Sequence, residues 1–234
     1  IQAYLKRAQI VNRFINAIVD VNKNAIKEAE AIDEMVQRQN SGQIWNDERS
    51  IHDMPLIGVP FSVKDMVAIK GLLLTGGLYS RRNTIAEEDS EIVANLRNSG
   101  AIPIVNTNVP ELLMWSDSTS VLFGVTCNPY DLSKSPGGSS GGEGSLISAA
   151  GSLIGIGSDV GGSIRIPAFR CGIFGHKVTP TIMPRKGLFP EINDILNPMN
   201  TTGPMCRYAI DLIPTLKAAA GDSIKHLPLI DTEV

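Results

Sequence analysis

Three serines and one lysine are the groups best placed for covalent chemistry. Ser139 and Ser140 stand between two Gly-Gly pairs, Ser163 follows a third pair, and Lys64 ends an apolar run. Residues 135–163 read SPGGSSGGEGSLISAAGSLIGIGSDVGGS and hold ten of the chain's 22 glycines. Glycine lets backbone N–H groups converge on one point, because no Cβ intrudes and positive φ is tolerated. Converging N–H groups bind an anion, either a phosphate or the oxyanion of an acyl-transfer transition state. Phosphate is the weaker reading. No Gly-Lys-Ser/Thr is present, and after Gly155-Ile156-Gly157 a valine, Val160, stands where a dinucleotide fingerprint needs glycine. A flexible linker is excluded too, because Leu146, Ile147, Leu153, Ile154 and Ile156 run through the segment.

Two nucleophile arrangements remain. Gly137-Gly138-Ser139-Ser140-Gly141 fits the G-x-S-x-G elbow of an α/β-hydrolase. That elbow needs a strand before the serine, and Asp131–Pro136 is polar and proline-bearing; the only downstream histidines are His176 and His226. The other arrangement uses lysine as the base, which requires a neutral amine, and burial supplies one by disfavouring the charged form. Lys64 ends Leu56–Val63, and Ser62 is the one polar residue among the five before it. The competing reading of Lys64 is an amine that snorkels into solvent at a strand end.

The elements that must hold these groups alternate. Apolar spacing of three and four predicts a helix over 1–39, polar residues 40–54 a loop, and Leu56–Val63 a buried strand. Glu88–Ser99 reads as an amphipathic helix stopped by Gly100, Ala101–Val105 as a strand, and Asn108–Glu111 as the start of a short helix toward Trp115. Glu143–Ala150 then reads as helix, Leu153–Ile156 as strand and Tyr208–Ala220 as a last helix despite Pro214. Strands alternating with helices predict one α/β domain over 1–234, with a mixed, largely parallel central sheet flanked by helices.

Composition narrows the partners. The chain has 234 residues, 43% hydrophobic and 19% charged, which excludes intrinsic disorder and a long coiled coil. A net charge of −3 and an aromatic content of 5% give no case for nucleic acid. Cys127, Cys171 and Cys206 fit no zinc spacing and read as reduced thiols of an intracellular protein. The longest run without a charged residue, Gly144–Ser158, is 15 residues and too short to span a bilayer.

Together, GVPFSVKD at 58–65, GGSSGGEG at 137–144 and GSDVGGSIRIPAF at 157–169 resemble the amidase signature family. NPYDL at 128–132, CGIFGHK at 171–177 and GPMCRYAIDLIPTLKAAAG at 203–221 extend the likeness. Glu143 and GIFGHK make the chain most similar to the type 2 animal branch of the fatty-acid amide hydrolases. The resemblance implies a serine amidase with Lys64 as base, Ser139 as a bridging serine in a cis peptide, and Ser163 as nucleophile. It implies an oxyanion hole from the N–H groups of Val160, Gly161, Gly162 and Ser163, with Ser140, Asp159 and Arg165 as structural support. Met114 and Trp115 fall where the family contacts substrate, with a core role as the competing reading. Asp65 either positions Lys64 or solvates it, and His176 and Cys171 read as packing residues.

No metal or cofactor is implied. The implied partner is a small-molecule amide with a long acyl chain, which would place the protein in lipid metabolism. The resemblance also implies membrane association through an upstream segment, and it accommodates a homodimer. Family members run to roughly twice this length, so a C-terminal part of the sheet and substrate channel is expected to lie outside the chain. A catalytically incomplete module that keeps the motif is the alternative from another class. A lysine base predicts activity rising into the alkaline range, whereas a midpoint near a histidine's ~6.5 would contradict it.

Overall fold

A computed structural model describes residues 1–43, 49–191 and 196–226. The elements in chain order are α1 (Gln2–Ile15), β1 (Ile18–Val21), α2 (Ala25–Asn40), β2 (Pro60–Lys64), α3 (Glu91–Asn98) and β3 (Ile102–Thr107). After them come β4 (Thr119–Ser120), β5 (Gly124–Val125), α4 (Gly141–Ser148), β6 (Ile154–Asp159) and α5 (Arg165–Cys171). The last are β7 (Phe174–Gly175), β8 (Thr201–Cys206) and α6 (Leu212–Ala220).

The expected helix over 1–39 is two helices with an edge strand between them. Asn16 adopts the left-handed conformation (φ 47°) and ends α1. The side-chain oxygen of Asn12 accepts the N–H groups of Ala17 at 2.7 Å and Ile18 at 2.9 Å. Two asparagines competing with the helical backbone thus turn the chain into β1, and the 3–4 apolar spacing does not register this. The strand expected from Leu56 begins only at Pro60, because Gly58 takes φ 72° and the residues before it form turns. α3 keeps the expected stop at Gly100 and is capped by Ser90, whose Oγ accepts the Val93 N–H. Pro214 falls in the first turn of α6, where its missing N–H leaves no helical bond unmade.

The six-stranded sheet has the order β1-β3-β2-β6-β8-β7. Its three central strands, β3, β2 and β6, run parallel, and β1, β8 and β7 each pair antiparallel with their neighbours. One face packs Phe61, Val63, Ile154 and Ile156 against Ile92, Val93 and Leu96 of α3 and Leu216 and Ala219 of α6. On the opposite face, Ile102 and Ile104 meet Ala8, Val11 and Ile15 of α1 and Leu146 of α4. Side chains of β2 alternate, so Ser62 and Lys64 point away from Phe61 and Val63, toward α4. A fully buried strand thus carries two polar groups into the interior, and both must find partners there.

Candidate active site

Lys64 is the last residue of β2 and is wholly buried, at 0% exposure, so the solvent-exposed reading of this lysine is excluded. Its Nζ donates to Ser139 Oγ at 2.6 Å and to Ser158 Oγ at 2.9 Å. Burial brings the ammonium down from 10.5 to about 7, against the anions Asp159 and Glu143, which favour the charged form. A substantial neutral fraction therefore exists at neutral pH. The same burial would bring the activity profile down from the expected alkaline range toward neutrality. A base of this kind titrates near neutrality, and its midpoint overlaps a histidine's, so the midpoint alone does not tell the two apart.

Ser139 reaches Lys64 from the loop that enters α4. The Gly138–Ser139 peptide is cis. Ser118 Oγ fixes this loop by accepting the Gly141 N–H at 2.8 Å and lying 3.2 and 3.3 Å from the Gly137 and Ser139 carbonyls. Gly138 lies against the backbone of Trp115–Asp117, where a Cβ would come within 2.9 Å of the Trp115 carbonyl. Ser140 turns the other way, its Oγ 3.3 Å from both the N–H and the carbonyl of Ser158.

Ser163 follows β6 in a turn organised by Asp159. That carboxylate accepts the N–H groups of Gly162 (2.7 Å), Ile164 (3.1 Å) and Arg165 (3.3 Å) and two bonds from the Arg165 guanidinium, both 3.0 Å. Burial alone would raise its pKa, but the hydrogen bonds from Arg165 and these N–H groups outweigh it and hold the carboxyl well below the usual range. The turn passes through Gly162 at φ 122°, a conformation reserved for glycine. Of the four expected oxyanion donors, the Gly162 N–H is the one engaged by Asp159, at 2.7 Å. The N–H groups of Val160, Gly161 and Ser163 have no hydrogen-bond partner among the described residues. The Ser163 carbonyl accepts the Ser140 N–H at 3.1 Å, which ties the two serine loops together.

A buried lysine bridged to a serine in a cis peptide thus stands beside a glycine turn with free N–H groups. The amidase family model matches residues 1–230. The chain belongs to the amidase family. It is 47% identical over 236 residues to human (Homo sapiens) fatty-acid amide hydrolase 2, covering 100% of this chain and 43% of that protein. Among solved structures it is similar to the peptide amidase of Stenotrophomonas maltophilia, with TM-score 0.83 and 30% identity over 97% of this chain and 46% of that one. A fatty acid amide hydrolase structure superposes with TM-score 0.81 at 31% identity, over 95% of this chain and 37% of that one. The chain thus spans less than half the length of the amidases it matches.

Glu143, which in the sequence marks only the branch, has a structural place of its own in this site. Its carboxylate is fully buried on α4 and accepts Ser62 Oγ at 2.7 Å and Thr107 Oγ1 at 2.8 Å. Burial raises it from 4.5 to about 7, with the two hydroxyls and Lys64 pulling the other way. Gly155 on β6 makes room for it, since a Cβ there would overlap the Glu143 carboxylate, a contact that the sequence alone does not report.

Several other expectations are corrected. Asp65 neither positions nor solvates Lys64; it is buried and accepts the N–H and hydroxyl of Thr75, holding the 75–77 turn. Met114 and Trp115, 76% and 67% exposed, have no core role and lie on the surface loop beside Gly138. Arg165, expected as structural support, is half-exposed and pairs with Asp159. His176 is exposed rather than packed, whereas Cys171 is buried as expected, with its thiol pushed up to about 12 by burial. Cys206 is buried likewise and Cys127 only partly, and all three thiols are free. The G-x-S-x-G elbow is overturned, because no strand leads into Ser139 and its hydroxyl meets a lysine. No helix among the described residues is long and apolar enough to cross a membrane.

Proposed function

We propose that the protein is a serine amidase in which Ser163 attacks the amide carbonyl while its proton passes through Ser139 to Lys64. The observation that carries this reading is the 2.6 Å bond between Ser139 Oγ and a wholly buried lysine brought to about 7. As the Ser163 Oγ–carbon bond forms, the carbonyl π pair moves onto oxygen, and the N–H groups of Val160, Gly161 and Ser163 receive that charge. Collapse of the tetrahedral adduct breaks the C–N bond, and the proton held on Lys64 returns through Ser139 to the leaving nitrogen. Water then repeats the sequence on the acyl-enzyme, releasing the acid and restoring Ser163.

Fatty-acid amides are the proposed substrates, supported by 47% identity to human fatty-acid amide hydrolase 2. Membrane association of the whole protein rests on the same likeness, and recovery only in the soluble fraction would count against it. A catalytically silent module is disfavoured because the lysine–serine contact and the turn after β6 are intact. Labelling of the full-length protein with a fluorophosphonate tests the assignment. Labelling is expected at Ser163, lost in Ser163→Ala and slowed in Lys64→Ala. Labelling at Ser139 that survives Ser163→Ala would refute it.

A further inference from the structure

Lys177 lies two residues beyond β7, in the GIFGHK segment, and takes no part in the proton relay proposed above. Its Nζ donates to the Val160 carbonyl at 2.7 Å and lies 3.3 Å from Asp159 Oδ1. The lysine side chain is 23% exposed and the Asp159 carboxylate wholly buried, so the contact is shielded and made against an anion that water does not reach. Val160 C=O and Gly161 N–H belong to one peptide unit, and in a trans peptide these two bonds point in opposite directions. That unit is trans, since the cis bonds of the described chain are Gly138–Ser139 and Phe189–Pro190. A cation clamped on the carbonyl therefore fixes the direction of the Gly161 N–H and draws electron density from it, which makes it a stronger donor.

The neighbouring peptides have other anchors. Gly162 N–H is held by Asp159, and the Ser163 carbonyl by the Ser140 N–H. No side chain crowds Gly161, whose Cβ position has nothing within 4 Å, so packing does not orient its peptide. Lys177 is the group that does.

We infer that Lys177 is a positioning residue for the oxyanion hole, aiming and polarising the Gly161 N–H through the Val160 carbonyl and bracing Asp159 at the same time. The inference rests on the amidase reading with Ser163 as nucleophile. Its consequence is confined to states in which the carbonyl oxygen carries negative charge. Ground-state binding of a planar amide and proton uptake by Lys64 do not depend on it.

The test compares Lys177→Gln and Lys177→Arg with wild type in the full-length protein, using a long-chain amide substrate and a trifluoromethyl ketone, which forms a tetrahedral adduct bearing an oxyanion. Removing a direct oxyanion donor costs about 10²–10³ in kcat, and an indirect clamp is expected to cost less, about 10-fold. Lys177→Gln should lower kcat about 10-fold with KM within about 2-fold, and should weaken the ketone by the same factor as kcat/KM. The acid limb of the pH profile should stay in place, and Lys177→Arg, which keeps a cation and donors at the carbonyl, should restore most of kcat.

Equal weakening of ketone and planar substrate, a moved acid limb, or a glutamine variant as active as the arginine variant would overturn the inference. Should Lys177→Gln fail to fold, Lys177→Arg decides alone: its kcat and ketone affinity must change together, and a change in one without the other refutes the proposal. Hydrolysis that survives Ser163→Ala would instead refute the amidase reading itself, so the two failures are distinct.

Discussion

Replacing Glu143 by glutamine asks whether a buried carboxylate sets the strength of the Lys64 base. Ser62 and Lys64 are alternate residues of β2 on one face, and Ser62 holds the Glu143 carboxylate. Alternate residues of a strand lie roughly 7 Å apart. A unit charge at that distance, with an effective dielectric near 20, is worth roughly 2.4 kcal/mol, or about 1.7 pH units in the lysine midpoint. Glu143 itself is raised to about 7, so it is ionised in only part of the population while Lys64 titrates. The visible shift is accordingly smaller, about one pH unit. Its sign follows from the charge: a carboxylate favours the ammonium, and without it the lysine releases its proton at lower pH. Glutamine keeps the volume, and the Ser62 and Thr107 hydroxyls can turn to accept from or donate to its amide. The assay is kcat/KM from about pH 5 to 9, with the rate of fluorophosphonate labelling at Ser163 as a second readout that needs no protonated leaving group. The acid limb should move down from a midpoint near 7. A limb that stays in place, or moves up, refutes the coupling.

Two further substitutions probe the same interior. Lys64→Met should abolish hydrolysis and slow labelling, and it leaves the buried Ser139 and Ser158 hydroxyls without the amine that bonds them. Because folding depresses the Lys64 pKa from 10.5 to about 7, its contribution to stability is complete above about pH 10.5 and is lost as pH falls through 7. The stability of the wild type relative to Lys64→Met should therefore rise between about pH 7 and pH 10.5 and be lowest in acid, as chemical denaturation across pH would show. Gly155→Ala should cost about 1–3 kcal/mol, because its Cβ overlaps the Glu143 carboxylate and lies 3.0 Å from Ile147 Cδ1. Gly161→Ala, with open space at its Cβ, is the stability control, and denaturant midpoints within error of each other would contradict the packing argument.

The candidate constellation was legible because the chemistry it could do is written in residue types. Lysine at the end of an apolar strand has few reasons to be there, and Ser139 and Ser163 each come with glycines that free the backbone around them. Parts of the frame were not legible. α1 and α2 share an apolar spacing that continues across their boundary, and the first helix ends at the left-handed backbone of Asn16 and the side-chain bonds of Asn12. β8 reads TTGPMC, with a proline and a glycine that argue against a strand. Its pairing with β6 sets Pro204 opposite Ile156 and Gly203 opposite Gly157, a tertiary fit that no local pattern reports. α5 hid for a similar reason, since Pro167 looks like a breaker and lies in the helix's first turn. Gly162 looked like one more free donor, and only the position of Asp159 shows its N–H to be taken.

The glycines and the lysine are two aspects of one requirement. A lysine base at neutral pH needs a dry environment, and dryness here depends on how closely α4 approaches the sheet. On β6, Ile154 and Ile156 fill the core on the α3 side, while Gly155 and Gly157 leave space on the other side for Glu143 and Ser140 of the α4 segment. Across the contact, Gly142 lies on the Asn108 backbone just past β3, while Gly144 lets α4 close on Pro167 of α5. Side chains are missing from both surfaces at the places where they would hold the helix off. The start of α4 therefore sits low enough for Ser139 to reach Lys64 at 2.6 Å with no exposure of the amine. A methyl group at position 155 pushes on that contact, and any lift of α4 admits water to the amine and moves it toward its ordinary 10.5. Gly155→Ala and Glu143→Gln alter one contact from its two sides, yet they should displace the acid limb in opposite directions. Desolvation acts through the glycine and charge through the carboxylate, and opposite displacements are what separate those two causes.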